Sequence, residues 1–353
     1  MNWRDTRMRF IGNKTQLLEN IKEIIDKHVT EATTFCDIFS GTASVARYFK
    51  QWYTVFSNDL LYFSYCLQRG TIENPIKPQF KELALNTGII NPVMYFNSMP
   101  TKAMEWLPQE KRFFQNNYSP AGGRMYVTDR NALRIDFSRN TIEEWHNQGY
   151  LSDDEYFYLI ACVVEGVPFV SNIAGTYGAF SKIWDKRTNK RFILIDLPVF
   201  NNGRDNKSYN KDGAALLQEI SGDILYVDPP YNERQYLPNY HVLETAAKYD
   251  FPVLHGVTGQ RPYEQQRSDF CSKKTVVSAF DALLENAKFS HIILSYNTDG
   301  IMTLEEIEST MKKHGIANTF EVNYIPYRRF KSRSDVTRTQ ELKEMLVYIQ
   351  KEV

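Results

Sequence analysis

The chain has 353 residues, 42% hydrophobic and 24% charged, with 42 basic side chains against 42 acidic ones. That length buries a large core as one big domain or two interleaved ones. Zero net charge excludes a histone-like binder that works through bulk basicity, and leaves room for a local basic groove.

Cys36, Cys66, Cys162 and Cys271 lie far apart with no C-x-x-C pair, which argues against a zinc site and for reduced thiols. The charged N-terminus has no apolar run behind it, and no segment reaches the ~18 apolar residues of a membrane span. A soluble, cytoplasmic protein without a membrane partner is expected.

In chain order, residues 15–28, TQLLENIKEIIDKH, put Leu17, Leu18, Ile21, Ile24 and Ile25 on one helical stripe, with Thr15 as its cap. TTFCDIF (33–39) reads as a buried strand. It ends in Ser40-Gly41-Thr42-Ala43-Ser44 and enters a helix, SVARYFKQW. A second strand, TVFSND (54–59), and a helix, LLYFSYCLQRG, complete the opening of a parallel α/β unit. From 71 to 222 the pattern loosens, with Asn-Pro, Met-Pro, Ser-Pro and Gly-Gly breaks, one good helix (153–166) and a loop-like NNGRDNKSYNKDG (201–213). This stretch reads as a large insertion with its own fold. Alternation resumes with the strand DILYV, a helix at 275–287, the strand HIILSYN (291–297) and a helix at 303–315 closed by Gly315. FEVNYIPYRRF and KEMLVYIQ (343–350) are two closing strands. The chain therefore reads as a split α/β core, residues 1–70 and 223–353, with an insertion at 71–222.

Four stretches carry chemistry. Asp37-Ile38-Phe39-Ser40-Gly41-Thr42 stands at a strand's carboxyl end, where open parallel sheets bind ligands, and its glycine lets a ligand approach the backbone. It lacks G-x-G-x-x-G spacing, and a plain strand-to-helix turn explains it equally well. Asp59 after the second strand fits a ribose-binding acid or a helix cap. Phe10 and Lys14 offer a ring and a cation ahead of the first helix, as many basic turns do. Asp228-Pro229-Pro230-Tyr231 is the most specific signal. Its carboxylate and the Pro229 carbonyl are acceptors on a backbone stiffened by Pro230, and Tyr231 presents a ring face. An exocyclic amine on a purine fits all three.

Together, Phe10-x-Gly12-x-Lys14, Phe39-x-Gly41 and Asp228-Pro229-Pro230-Tyr231 resemble the motifs of AdoMet-dependent DNA adenine-N6 methyltransferases. Their order resembles the Dam-like or D12 class, and NERQYLPNYHVLE with GTYGAFSK is most similar to the half-domains of FokI-type modification methylases. Phe10 stands where relatives often carry tryptophan or tyrosine. The resemblance implies a Rossmann-like class I AdoMet methyltransferase fold, with a mostly parallel seven-stranded sheet, an antiparallel last strand and an inserted, mainly helical DNA-recognition domain. It implies AdoMet held by Phe10, Lys14, Asp37, Phe39, Ser40, Gly41, Thr42, Asp59 and Asp228, with Asp59 on the ribose. Asp228, Pro229, Pro230 and Tyr231 would form the catalytic motif. Double-stranded DNA is the expected partner. Its contacts are expected from Tyr177, Lys182, Lys186, Arg187, Lys190 and Arg191 in the insertion, from Arg234, and from Arg328, Arg329 and Lys331 in the basic segment before the last strand. A monomer on DNA, without a metal and with a cognate restriction endonuclease acting separately, completes the expectation. Methylation of cytosine N4 or of RNA adenine, and a DNA-binding module without activity, remain alternatives. Asp228 favours adenine, because cytosine-N4 relatives more often carry serine there.

Overall fold

The computed structural model describes residues 14–326 and 343–353. Strands β1 (Thr34–Asp37), β2 (Thr54–Asn58), β3 (Lys207–Tyr209), β4 (Ser221–Val227), β5 (Lys288–Asn297), β6 (Glu321–Pro326) and β7 (Lys343–Gln350) build one sheet in the order β3-β2-β1-β4-β5-β7-β6. Pairing is parallel from β3 to β5, and β7 runs antiparallel between β5 and β6. This is the mostly parallel sheet with an antiparallel last strand that the family resemblance implies. The order reverses between β1 and β4, which places a crevice at their carboxyl ends.

Helices α1 (Leu18–His28), α2 (Ser44–Phe49) and α3 (Tyr62–Gln68) follow or precede the first strands. The inserted stretch holds α4 (Lys81–Thr87), α5 (Pro92–Ser98), α6 (Phe113–Tyr118), α7 (Asp129–Asn147) and α8 (Asp153–Gly166). The later strands alternate with α9 (Gly213–Glu219), α10 (Tyr236–Lys248), α11 (Val276–Asn286) and α12 (Leu304–His314). Strand periodicity sorts the core into two layers. Ile224 and Tyr226 pack with the α1 stripe Leu18, Ile21, Ile24 and Ile25. Leu225 and Val227 face the other way, with α9, α11 and α12. Among the described residues no helix is long and apolar enough to cross a membrane.

Four local expectations need correction. Helix α1 starts later than expected: its cap position is Leu17, which makes no side-chain cap bond, and Thr15 lies two residues before it. Gly315 does close α12, but in extended backbone (φ −127°) rather than a left-handed turn. Its role is close approach, since a Cβ there would lie 2.7 Å from Ile349 Cδ1 and 2.8 Å from the Gln350 carbonyl. The stretch 201–213, read as a loop, contains β3, which extends the sheet beside β2. With α9 packed under the sheet, residues 207–219 belong to the core layers rather than to the insertion.

The fourth correction is α7, a 19-residue helix that the polar sequence DRNALRIDFSRNTIEEWHN does not advertise. Its buried face is charged. Arg134, Asp136 and Arg139 are 2%, 0% and 0% exposed. Asp136 accepts the Phe114 and Gln115 N–H groups at the start of α6, at 2.7 and 2.9 Å. Arg134 donates to the Phe96 carbonyl of α5, and Arg139 to the Ala246 carbonyl of α10, at 2.8 and 2.7 Å. The same device starts α3, where Leu61 offers no side-chain acceptor. The buried Glu244 of α10 accepts the Tyr62 and Phe63 N–H groups at 3.1 and 3.0 Å instead. Replacing a buried, charge-assisted acceptor strands those donors. Glu244→Ala should therefore cost about 2–4 kcal/mol in urea unfolding; a loss below 1 kcal/mol, by the same reckoning, would reduce Glu244 to a spectator.

Candidate functional site

Three strand ends open into one cavity of about 230 Å³, many times what a single water needs. Asp37 ends β1, Asp59 follows β2 and Asp228 follows β4. Lys14, Phe39, Ser40, Gly41, Thr42 and Pro230 line the same cavity. Gly41 sits at φ 51°, where glycine is the natural residue. The turn is braced from β2: Asp59 Oδ2 accepts the Gly41 N–H and Oδ1 accepts the Leu61 N–H, both at 2.8 Å. Asp59 thus fixes two loops at once, and burial outweighs those hydrogen bonds to push its carboxyl up to about 6.

Asp37 Oδ2 accepts the Ala46 N–H at 3.2 Å. Its Oδ1 is buried with no hydrogen-bond partner among the described residues, so the cavity wall carries an acceptor that a ligand donor would satisfy. Burial first, and the Asp228 charge second, raise the Asp37 carboxyl well above the usual range.

Asp228 faces the Lys14 ammonium, with Nζ 3.2 Å from Oδ1. Burial pushes its carboxyl up to about 7; Lys14 opposes that shift and Glu344 adds to it. Lys14 is itself paired with Glu344. Burial lowers its affinity for a proton, but the charges of Asp228 and Glu344 outweigh that and raise it. Tyr231 does not line the cavity; its ring lies half-buried beside it, centred 5.8 Å from Lys14 Nζ and edge-on to Tyr296 at 6.5 Å. The Tyr231 carbonyl accepts the Ile301 N–H at 3.1 Å, which ties the motif to the turn after β5. Pro229 is buried beneath.

Sequence reading missed part of the wall. Phe270 meets Phe39 edge-on at 5.2 Å, and Tyr236 closes another side. Gln235 and Ser268 exchange hydrogen bonds at 3.0 and 2.8 Å, clamping the loop after Pro230 to the segment that carries Phe270. Residues 249–274 hold no long periodic run, so nothing in the sequence flagged them. Glu344 had a signal: it is an acid in phase with Leu346 and Tyr348 on a strand face otherwise buried and apolar.

The expected DNA contacts divide. Lys182, Lys186, Lys190, Arg191 and Arg234 are exposed. Arg187 is engaged with Asp185 at 2.9 Å, and Arg191 donates to the Met99 carbonyl at 2.6 Å. Tyr177 contradicts its expected role. It is 1% exposed within the core of the inserted helices, with its hydroxyl 3.0 Å from Ser171 Oγ, so its ring cannot reach a duplex. Its backbone matters instead: the Tyr177 N–H donates to the Asn239 carbonyl of α10 at 2.8 Å, docking the loop beside the motif. Phe10, Arg328, Arg329 and Lys331 lie outside the described residues.

A family model described as D12 class N6 adenine-specific DNA methyltransferase matches residues 10–310. The chain belongs to that family. Among its relatives, the type II methyltransferase M.FokI of Planomicrobium okeanokoites is 47% identical over 98% of this chain and 53% of its own length. The modification methylase StsI of Streptococcus sanguinis is 41% identical over 98% of this chain and 52% of its own length. This D12 chain thus spans about half the length of those relatives. The type II methyltransferase M.NlaIII of Neisseria lactamica is 36% identical over 97% of this chain and 98% of its own length. Since the Tyr177 hydroxyl makes a buried bond and touches no open surface, Tyr177→Phe should cost this D12 protein about 1 kcal/mol of stability. Urea unfolding of the variant against the wild type measures that loss.

Proposed function

We propose that the protein is an adenine-specific DNA methyltransferase that moves a methyl group from AdoMet to N6 of an adenine turned out of a DNA duplex. We propose further that it is the modification half of a type II restriction–modification system. The observation that carries the reading is the single cavity shared by Asp37, Asp59, Lys14, Asp228 and Pro230. The relatives' names, a type II methyltransferase and modification methylases, point to the same reaction class.

The donor set suits AdoMet. The unpartnered Asp37 Oδ1 is an acceptor for an ammonium, Asp59 keeps lone pairs for ribose hydroxyls, and Phe39 lines the cavity with an aromatic ring suited to an adenine. When bound, AdoMet supplies an electrophilic methyl on a sulfonium. The rest falls to the chain. Extruding a base costs a few kcal/mol, and stacking on Tyr231 returns about 1–3 kcal/mol. The N6 lone pair is delocalised into the ring and nucleophilically poor. Hydrogen bonds from its two N–H groups to the Asp228 carboxylate and the Pro229 carbonyl draw the nitrogen toward tetrahedral geometry and localise that pair. As the new N–C bond forms and the methyl–sulfur bond breaks, its electron pair staying on sulfur as a neutral thioether, positive charge develops on N6 beside the Asp228 carboxylate, which stabilises it; the proton then leaves to Asp228 or to water.

Purified protein incubated with AdoMet and unmethylated DNA should mark N6 of adenine at one short motif, and Asp228→Ala should abolish the mark while AdoMet still binds. Unmarked DNA from a wild-type protein that binds AdoMet would overturn the reading. Because Asp228 accepts hydrogen bonds as the carboxylate, kcat/KM should rise with pH through about 7 and level off above it. A rate flat across that range would remove Asp228 from the acceptor role. Lys182, Lys186 and Lys190, exposed on the loop docked beside α10, are proposed phosphate contacts. Changing all three to Gln should lower the salt slope of DNA binding by about 2–3, with a slope unchanged from wild type placing the groove elsewhere.

A further inference from the structure

Of the charged groups around the motif, Glu344 is the one that the proposed reaction does not use. It starts β7, the antiparallel strand, and pairs in register with Asn297 at the carboxyl end of β5. Only the antiparallel direction brings the beginning of a late strand to the edge where the other strands end. Glu344 is 3% exposed and does not line the cavity. Its Oε1 accepts from Ser295 Oγ at 3.0 Å and from Lys14 Nζ, and the same Nζ lies 3.2 Å from Asp228 Oδ1. Two carboxylates thus share one ammonium.

We propose that Glu344 is a positioning residue, which holds the Lys14 ammonium back from Asp228 so that the Asp228 carboxylate stays available to the amine it must accept from. The inference rests on the methyltransferase reading and deepens it. With one acid and one base alone, Lys14 would settle fully on Asp228, occupy an acceptor lone pair and tie the carboxylate into a neutral pair. With Glu344 present the trio carries a net charge of −1, which favours positive charge developing on the nitrogen next to it. Buried like charges also repel, so Glu344 raises the proton affinity of Asp228. The other groups facing Asp228 are Asp37 on β1, Tyr226 on β4 and Tyr236 at the start of α10, while Tyr231 within the motif faces Lys14, its ring centred 5.8 Å from Nζ. Glu344 and Asp228 are the carboxylates that hold Lys14.

The test compares Glu344→Gln with Glu344→Asp. Glutamine keeps the shape and loses the charge. We expect kcat to fall about 10- to 100-fold, as small displacements at a reacting centre do, with the KM for AdoMet within about two-fold of wild type by the same principle, since the residue touches no cofactor. The acid limb of the rate profile should move to lower pH by about 1 unit. Aspartate keeps the charge one methylene back and should restore the limb and recover part of the rate. A role in packing alone predicts the opposite order, because aspartate leaves the larger gap. A limb that does not move in Glu344→Gln, or Glu344→Asp no better than Glu344→Gln, would overturn the proposal. Should glutamine fail to fold, full wild-type turnover in Glu344→Asp would overturn it instead, because a carboxylate set one methylene back holds Lys14 less closely and should recover only part of the rate. The carboxyl ¹³C titration of Asp228, assigned by its loss in Asp228→Asn, gives the same comparison without turnover. If the wild type methylates nothing, the reaction fails while this titration still decides whether Glu344 sets the state of Asp228.

Discussion

The arrangement of the molecule follows from one reversal in strand order. A parallel sheet sends all its carboxyl ends to one edge, and at the point where the order turns back the connections part to opposite faces. Here the chain runs outward from β1 to β2 and β3, then returns to lay β4 against β1. Asp37, Asp59 and Asp228 meet because they terminate three neighbouring strands at that edge. At the opposite end, Asp223 Oδ2 accepts the Thr33 and Thr34 N–H groups at 2.7 and 2.9 Å, pinning the amino ends of β4 and β1 together. One end of the strand pair is closed by short polar clamps, and the other is left open for chemistry.

Helix poles set the inserted region in the same way that strand ends set the site. A helix exposes unsatisfied N–H groups at its start and carbonyls at its finish, with partial charges to match. Asp136 meets the start of α6, Glu244 the start of α3, and Arg134 and Arg139 the finishes of α5 and α10. Each buried charge thus lies at the pole of opposite sign. Desolvating these groups is costly, and the backbone bonds that they make offset the cost.

Those same charges explain what the sequence hid. The core strands and the α1 stripe were legible because apolar residues recur there with the period of the element that they build. Three clusters of the expected cofactor residues were legible because the ends of strands are marked by glycine, proline and aspartate. Helix α7 was not legible: its inward face carries Arg134, Asp136 and Arg139, and polar residues on the buried side erase the periodic signal. Strand β3 was too short to show alternation, and Asn-, Lys- and Asp-rich flanks disguised it as a loop. Tyr177 looked like a contact residue because an aromatic beside basic side chains suits DNA, yet only the three-dimensional packing tells which way a ring turns. The wall formed by Tyr236 and Phe270 depends on pairing between Gln235 and Ser268, a relation between distant residues that no local pattern encodes.

The apolar interior of the inserted helices does not stop at the insertion. It runs without a break through Leu61, Phe63, Cys66 and Leu67 of the α3 region and through Leu237, Tyr240, Val242 and Leu243 of α10. The inserted helices and the layer that follows Asp228-Pro229-Pro230-Tyr231 are therefore one solid. Exchanging the whole segment between two such proteins would expose half of a hydrophobic interface on each side, and grafts cut at its ends should misfold. Variation is then more accessible in surface loops such as 181–192, whose exposed side chains can change without disturbing that shared interior. Such a lineage would diversify by editing its loops one residue at a time rather than by shuffling modules.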